Sequence, residues 1–177
     1  MKNIFTKIAL ILFITASALV ATAQSSKDKK FAKCVTEDGM MEVKLAELAL
    51  NKASSAEIKT HAQHMVDDHS KANQELKALA VKKNIILPTS ISEKQQKRYD
   101  KLAKLDGKEF DKKFSKQMKC DHKKAVCVFK KQAKKGDDEE LKSWASGKVS
   151  TMEHHLDMWK AVCKKVKDDN SKSVTSK

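Results

Sequence analysis

Two stretches of the chain repeat one phrase, Met-x-x-Asp-His-x-Lys-Ala, first over Met65 to Ala72 and again over Met118 to Ala125. In each copy Met, His and Ala follow a four-then-three spacing, which sets them on one face of a helix. That face is otherwise apolar, so His69 and His122 stand where core residues belong. His155 occupies a comparable position near the C-terminus. Three inward imidazoles make either a polar network that fixes helix register or a metal site. With one carboxylate they suit a single transition-metal ion, Zn, Cu or Fe. Glu42 is the carboxylate expected at the same height, with Asp38 on the same stripe as its alternative. Asp68 and Asp121, each preceding its histidine, are expected as partners that orient the ligands from behind. Met65, Met118 and Cys120 would add soft sulfur and tilt selectivity towards copper. His154 is an alternative ligand should its helix be turned slightly, and His61 and His64 read as surface residues.

These side chains need helices to carry them, and the composition supplies helices. The chain holds four Gly and one Pro among 177 residues, with abundant Ala, Lys, Glu and Leu. Such a chain is expected to be all-helical. A first helix is predicted from about Lys29 to Lys52, ended at Ser54-Ser55. A second runs from about Ala56 to Lys83, with Ile58, Ala62, Met65, His69, Ala72, Leu76 and Leu79 along its seam. Asn84 and Pro88 close it. Residues 84–106 form a connector with a short helix of its own, about Ser92 to Leu105. A third long helix spans about Gly107 to Lys135, and a fourth follows the turn at Gly136-Asp137-Asp138. At a rise of 1.5 Å per residue the three histidines lie roughly 20–25 Å into their helices, near mid-height. The connector is long enough, roughly 40 Å, to run the length of a bundle. The expected fold is a ferritin-like four-helix bundle with a crossover connector. The sequence does not carry the diiron pattern of true ferritins, because no Glu stands three positions before His69 or His122.

Residues 1–23 read as a signal peptide: Lys2 and Lys7, an apolar run from Ile8 to Val20, and a cleavage site at Ala21-Thr-Ala23. No later stretch is long and apolar enough to span a membrane. The mature protein is expected in the periplasm or outside the cell. Residues 24–30 are expected to be a disordered leader, 31–166 the helical domain, and 167–177 a polar, frayed tail. Removing Lys2 and Lys7 lowers the formal charge from +14 to +12. Arg98 is the only arginine among the 37 basic residues. Specific nucleic-acid readout favours arginine, so the charge points to a solvated lysine surface or to anionic lipid or polymer of the envelope. That gives a second functional reading, an envelope interaction module. An enzyme is a third, but no nucleophile–base pair is visible. Four cysteines in an exported chain make disulfides feasible, though Cys120 and Cys127, about 10 Å apart along one helix, cannot pair with each other.

Several of these residues carry a resemblance. Gly39-Met40-Met41-Glu42-Val43, Met65-Val66-x-Asp68-His69-Ser70-Lys71-Ala72, Leu87-Pro88, Phe110-Asp111, Met118-x-x-Asp121-His122 and His155-Leu156 resemble the exported bacterial family called domain of unknown function 4142. The resemblance covers roughly Phe31 to Val166 and implies an exported, ferritin-like helical bundle. It implies no activity.

Overall fold

A computed structural model describes residues 25–175, with side chains as far as Asp168. The expected signal peptide lies outside the described residues. The described residues form five helices: α1 Ser26–Lys52, α2 Ala56–Lys82, α3 Glu93–Ala103, α4 Gly107–Lys135 and α5 Glu139–Thr175. No strand occurs among the described residues, and no helix is long and apolar enough to cross a membrane.

Local sequence explains where each helix starts and stops. Ser55 accepts from the Ile58 amide, and Ser92 accepts from the Gln95 amide. Asp138 accepts from Glu140 and Leu141 at 3.1 and 3.0 Å. Each cap satisfies an amide that the first turn would leave orphaned. At the end of α2, Asn84 adopts φ +53°, with Ile85 N donating to Ala80 O at 2.8 Å and Asn84 N to Val81 O at 3.2 Å. This paired closure is the Schellman stop, and asparagine tolerates its left-handed residue.

Contacts at the helix ends fix the topology. Asp28 at the start of α1 reaches the α4–α5 turn, where it accepts from the Gln132 side chain at 2.7 Å and the Asp138 amide at 2.8 Å. Asp111 at the start of α4 reaches the α1–α2 turn, where it accepts from the Ser54 and Ser55 amides at 3.1 and 3.0 Å. Lys82 at the end of α2 pairs with Glu140 at the start of α5. Hence α1–α2 and α4–α5 are antiparallel hairpins, and the segment from Lys83 to Asp106 crosses from one end of the molecule to the other. On its way α3 bonds to α1, through Ser92 N to Glu37 and Gln95 Nε2 to Asp38, and to α4 through Arg98 and Asp121.

Both chain ends of the domain differ from expectation. The segment 24–30 was expected to be disordered, yet helix α1 begins at Ser26, capped by Ser25. The cause is Asp28, which is fully buried because its carboxylate serves a turn more than a hundred residues away. The segment from 167 likewise continues α5 as helix to Thr175.

Two apolar layers fill the interior. One contains Met41, Leu45, Ile58, Met65, Phe110, Phe114, Met118 and Trp159; the other contains Phe31, Phe129, Ala145 and Met152, with Leu76 and Leu141 alongside. Burial of such side chains is the main stabilising term, roughly 1.5–3 kcal/mol for each large one. The histidines sit between these layers.

Candidate metal centre

His69, His122 and His155 converge from α2, α4 and α5. Their ring centroids lie 5.6 Å (His69–His122), 5.5 Å (His69–His155) and 5.3 Å (His122–His155) apart. All three residues are buried, at 7%, 1% and 1% exposure respectively, so water cannot serve them freely.

Hydrogen bonds to two of the rings assign their tautomers. His122 Nδ1 lies 3.0 Å from the carbonyl oxygen of Met118, one turn earlier in α4. That nitrogen must carry the proton it donates, which leaves a lone pair on Nε2. His155 Nε2 lies 2.9 Å from Asp68 Oδ2, so it donates there and leaves the lone pair on Nδ1. These two remaining nitrogens, with His69 Nε2, are buried and have no hydrogen-bond partner among the described residues. One ligating nitrogen from each ring falls within 4.8 Å of the others.

A network of histidines bonded to one another would pair these nitrogens, and it does not form. A buried polar atom left unpaired costs about 1–3 kcal/mol, and here three face each other. An ion bonded at about 2.0–2.1 Å wants its nitrogens roughly 3.4 Å apart, so small ring rotations would close the set around it. Electrostatics favour that state too. Burial first, then the neighbouring imidazoles, holds His69 well below its ordinary pKa. The same causes push His122 down to about 4. Burial also lowers His155, against the opposing pull of Asp68. The rings are therefore neutral at pH 7, as ligands must be.

The carboxylates take other places. Glu42 is buried, with Oε2 unpartnered, but it is not in the triad's cluster. It lines a neighbouring cavity of about 140 Å³, whose walls include His69, His122, Asp38, Asp121 and Arg98. Burial, then the charges of Asp121 and Asp38, raises the Glu42 pKa well above the carboxylate range. Asp38 is at the exposed rim rather than squarely inward, where it accepts from Gln95 Nε2 of α3 at 2.7 Å. Asp121 does not orient His122; it is paired with Arg98. Asp68 does orient a triad ring, but across the helix interface, His155, and not its own neighbour His69.

Other expected contributors stand outside the triad's cluster. His154 is exposed, its ring 6.2 Å from His155. Met65 and Met118 are fully buried in the apolar layer, and Cys120 is exposed. His61, read as a surface residue, is half-buried edge-on to Trp159 at 5.8 Å. All four thiols are free, and only Cys163 is buried. The bond from Asp68 to His155 had no signal in the sequence beyond the acidic residue itself, since it depends on how α2 and α5 are aligned.

Comparison with known proteins places this geometry in a wider fold. A DUF305 fragment from Deinococcus radiodurans superposes with a TM-score of 0.70 at 13% identity, over 80% of this chain and 98% of that one. CopM in its Cu(II)-bound form gives 0.67 at 20% identity, over 78% and 96%. CopM in its Cu(I)-bound form gives 0.64 at 21%, over 76% and 93%. At such identities the likeness is one of fold. No curated protein matches the sequence. A family model does match, over residues 15–162, and the chain belongs to that family, described as a domain of unknown function, DUF4142.

Proposed function

We propose that the protein is an exported metal-binding protein whose triad of His69, His122 and His155 holds one transition-metal ion, copper before zinc or iron. The observation that carries this reading is the set of three buried imidazole nitrogens without hydrogen-bond partners, converging from three helices. The tautomers of His122 and His155 are already set by Met118 and Asp68, so binding requires little reorganisation of those two rings. Glu42 then acts from the adjoining cavity, reaching the ion through water. The crossover topology supports a ferritin-like description of the frame, without the carboxylate-rich site of diiron proteins. Structures of similar fold carry Cu(I), Cu(II) and Ag, which supports copper as the first ion to test. Export rests on the signal-like residues 1–23. The alternative of an envelope module gains nothing from the relatives, and many lysines are engaged in ion pairs across helix seams, such as Lys148–Glu75 and Lys165–Glu57.

The test is metal analysis of untagged protein, before and after exposure to Cu or Zn, with melting temperature as a second readout. One equivalent of tightly held ion and a raised melting temperature are expected, because a ligand bound only by the folded state stabilises it. No bound ion and an unchanged melting temperature would remove the proposal.

A further inference from the structure

Three histidines remain outside the triad, and they gather along one seam. Helices α2 and α5 run antiparallel, pinned by Glu57–Lys165 at 2.6 Å, Asp68–His155 at 2.9 Å, Glu75–Lys148 at 2.6 Å and Lys82–Glu140 at 2.6 Å. Between the first two pins α2 presents His61 and His64 and α5 presents Met158, while His154 lies just beyond the second pin, next to His155. A spacing of three on one helix and four on the other keeps each pair on a single face. The alignment set by the pins puts His64 opposite Met158.

The local environment supports a ligand role. His61 Nδ1 is closed off from solvent and has no hydrogen-bond partner among the described residues, while Nε2 stands 4.0 Å from Glu57. Burial chiefly, and then the nearby His64 and His154, hold the His61 ring below its ordinary pKa, opposed by Glu57. His64 and His154 are exposed and free to turn onto an ion, and Met158, one turn along α5 from His154, is half-buried.

We infer that the α2–α5 seam is a second, solvent-facing metal position, in which His61, His64 and His154 with the Met158 thioether take a soft monovalent ion of the Cu(I) or Ag(I) class. Imidazole alone would serve several divalent ions, but the thioether selects the soft ones. The position shares no ligand with the triad. It adjoins the triad all the same, because Asp68 follows His64 by one turn and holds His155, the residue next to His154. An ion captured at the seam thus sits one residue away from the buried centre.

Native mass spectrometry with silver nitrate in chloride-free buffer reads the number of ions directly. The chain from Gln24, with Cys34, Cys120 and Cys127 changed to Ser so that exposed thiols do not compete, is expected to take two Ag(I). The combined His61→Ala, His64→Ala and His154→Ala variant is expected to take one, and Met158→Leu should weaken the seam ion about tenfold. His122→Gln should instead lose the triad ion and keep the seam ion. Two ions retained by the triple variant, or a parent that takes only one ion and keeps it in the triple variant, would overturn the seam site. A single ion lost in the triple variant but kept in His122→Gln would uphold the seam and remove the triad reading.

Discussion

Asp68 on α2 holds the Nε2 of His155 on α5 at 2.9 Å, and that one bond turns the other ring nitrogen, Nδ1, towards His69 and His122. The carboxylate lies 48% exposed at the surface while the ring it steers is 1% exposed. A surface residue therefore sets the donor atom of a buried cluster.

Asp68→Asn should leave the fold intact and weaken metal binding about 10–100-fold, the usual cost of losing a partner behind a ligand. Asp121→Asn should leave affinity within about twofold, because Asp121 is engaged by Arg98 and not by His122. Competition titration against a chelator of known affinity compares the two. Equal losses would show that the Asp68 contact has no orienting role.

Acid should destabilise the metal-free protein through its histidines. In the unfolded chain they titrate near 6.5, whereas His122 in the fold is pushed down to about 4 and His69 and His155 are also lowered. Between those values the unfolded state binds more protons, so stability falls as pH drops from about 6.5 towards 4. For His122 alone the full effect is on the order of 3 kcal/mol. Glu42 runs the other way: its raised pKa means the folded state keeps a proton that the unfolded state releases, costing stability as pH rises above 4.5. Urea denaturation across pH 4.5–7.5, with chelator present, should show the acid loss in the parent and a shallower slope in His122→Gln. Glu42→Gln should gain stability at neutral pH.

Asp111→Ala should cost about 2–4 kcal/mol, since it removes bonds to two backbone amides and to the Ser54 hydroxyl at a buried site. Asp111→Asn keeps the size but offers one acceptor oxygen in place of two, and should recover part of the loss. Denaturant titration with unchanged slope separates lost stability from altered compactness.

Thiol reagents should find three reactive cysteines in the native protein, with Cys163 reacting only on unfolding. Cys34 should be the slowest of the three, because partial burial and then the Asp38 carboxylate push its thiol up to about 11. Stopped-flow reaction with a disulfide reagent at pH 8 measures the order. Four thiols of equal rate would contradict the buried position of Cys163.

Periodicity alone gave the helices and their order, because Gly and Pro are scarce and serines stand at the starts. It also brought His69, His122 and His155 to one height, since distance along a helix follows directly from residue count. It could not assign Glu42 to the cavity, because a helix's rotation about its own axis depends on the helices it meets. Nor could it see Asp28: a polar residue in a lysine-rich leader looks disordered until its partner turn, near Asp138, is in place. The steering of His155 by Asp68 failed to show for the same reason, since α2 and α5 align only in three dimensions.

Asp28 and Asp111 each satisfy the turn of the hairpin to which they do not belong. Neither hairpin is therefore a complete object by itself: cut between α3 and α4, each half would expose turn amides that had lost their acceptor. The smallest autonomous unit is the whole set of four long helices, which should melt in one transition. An ion held midway between those two ends would be shielded from fraying at either, and its escape would be timed by opening of the entire molecule.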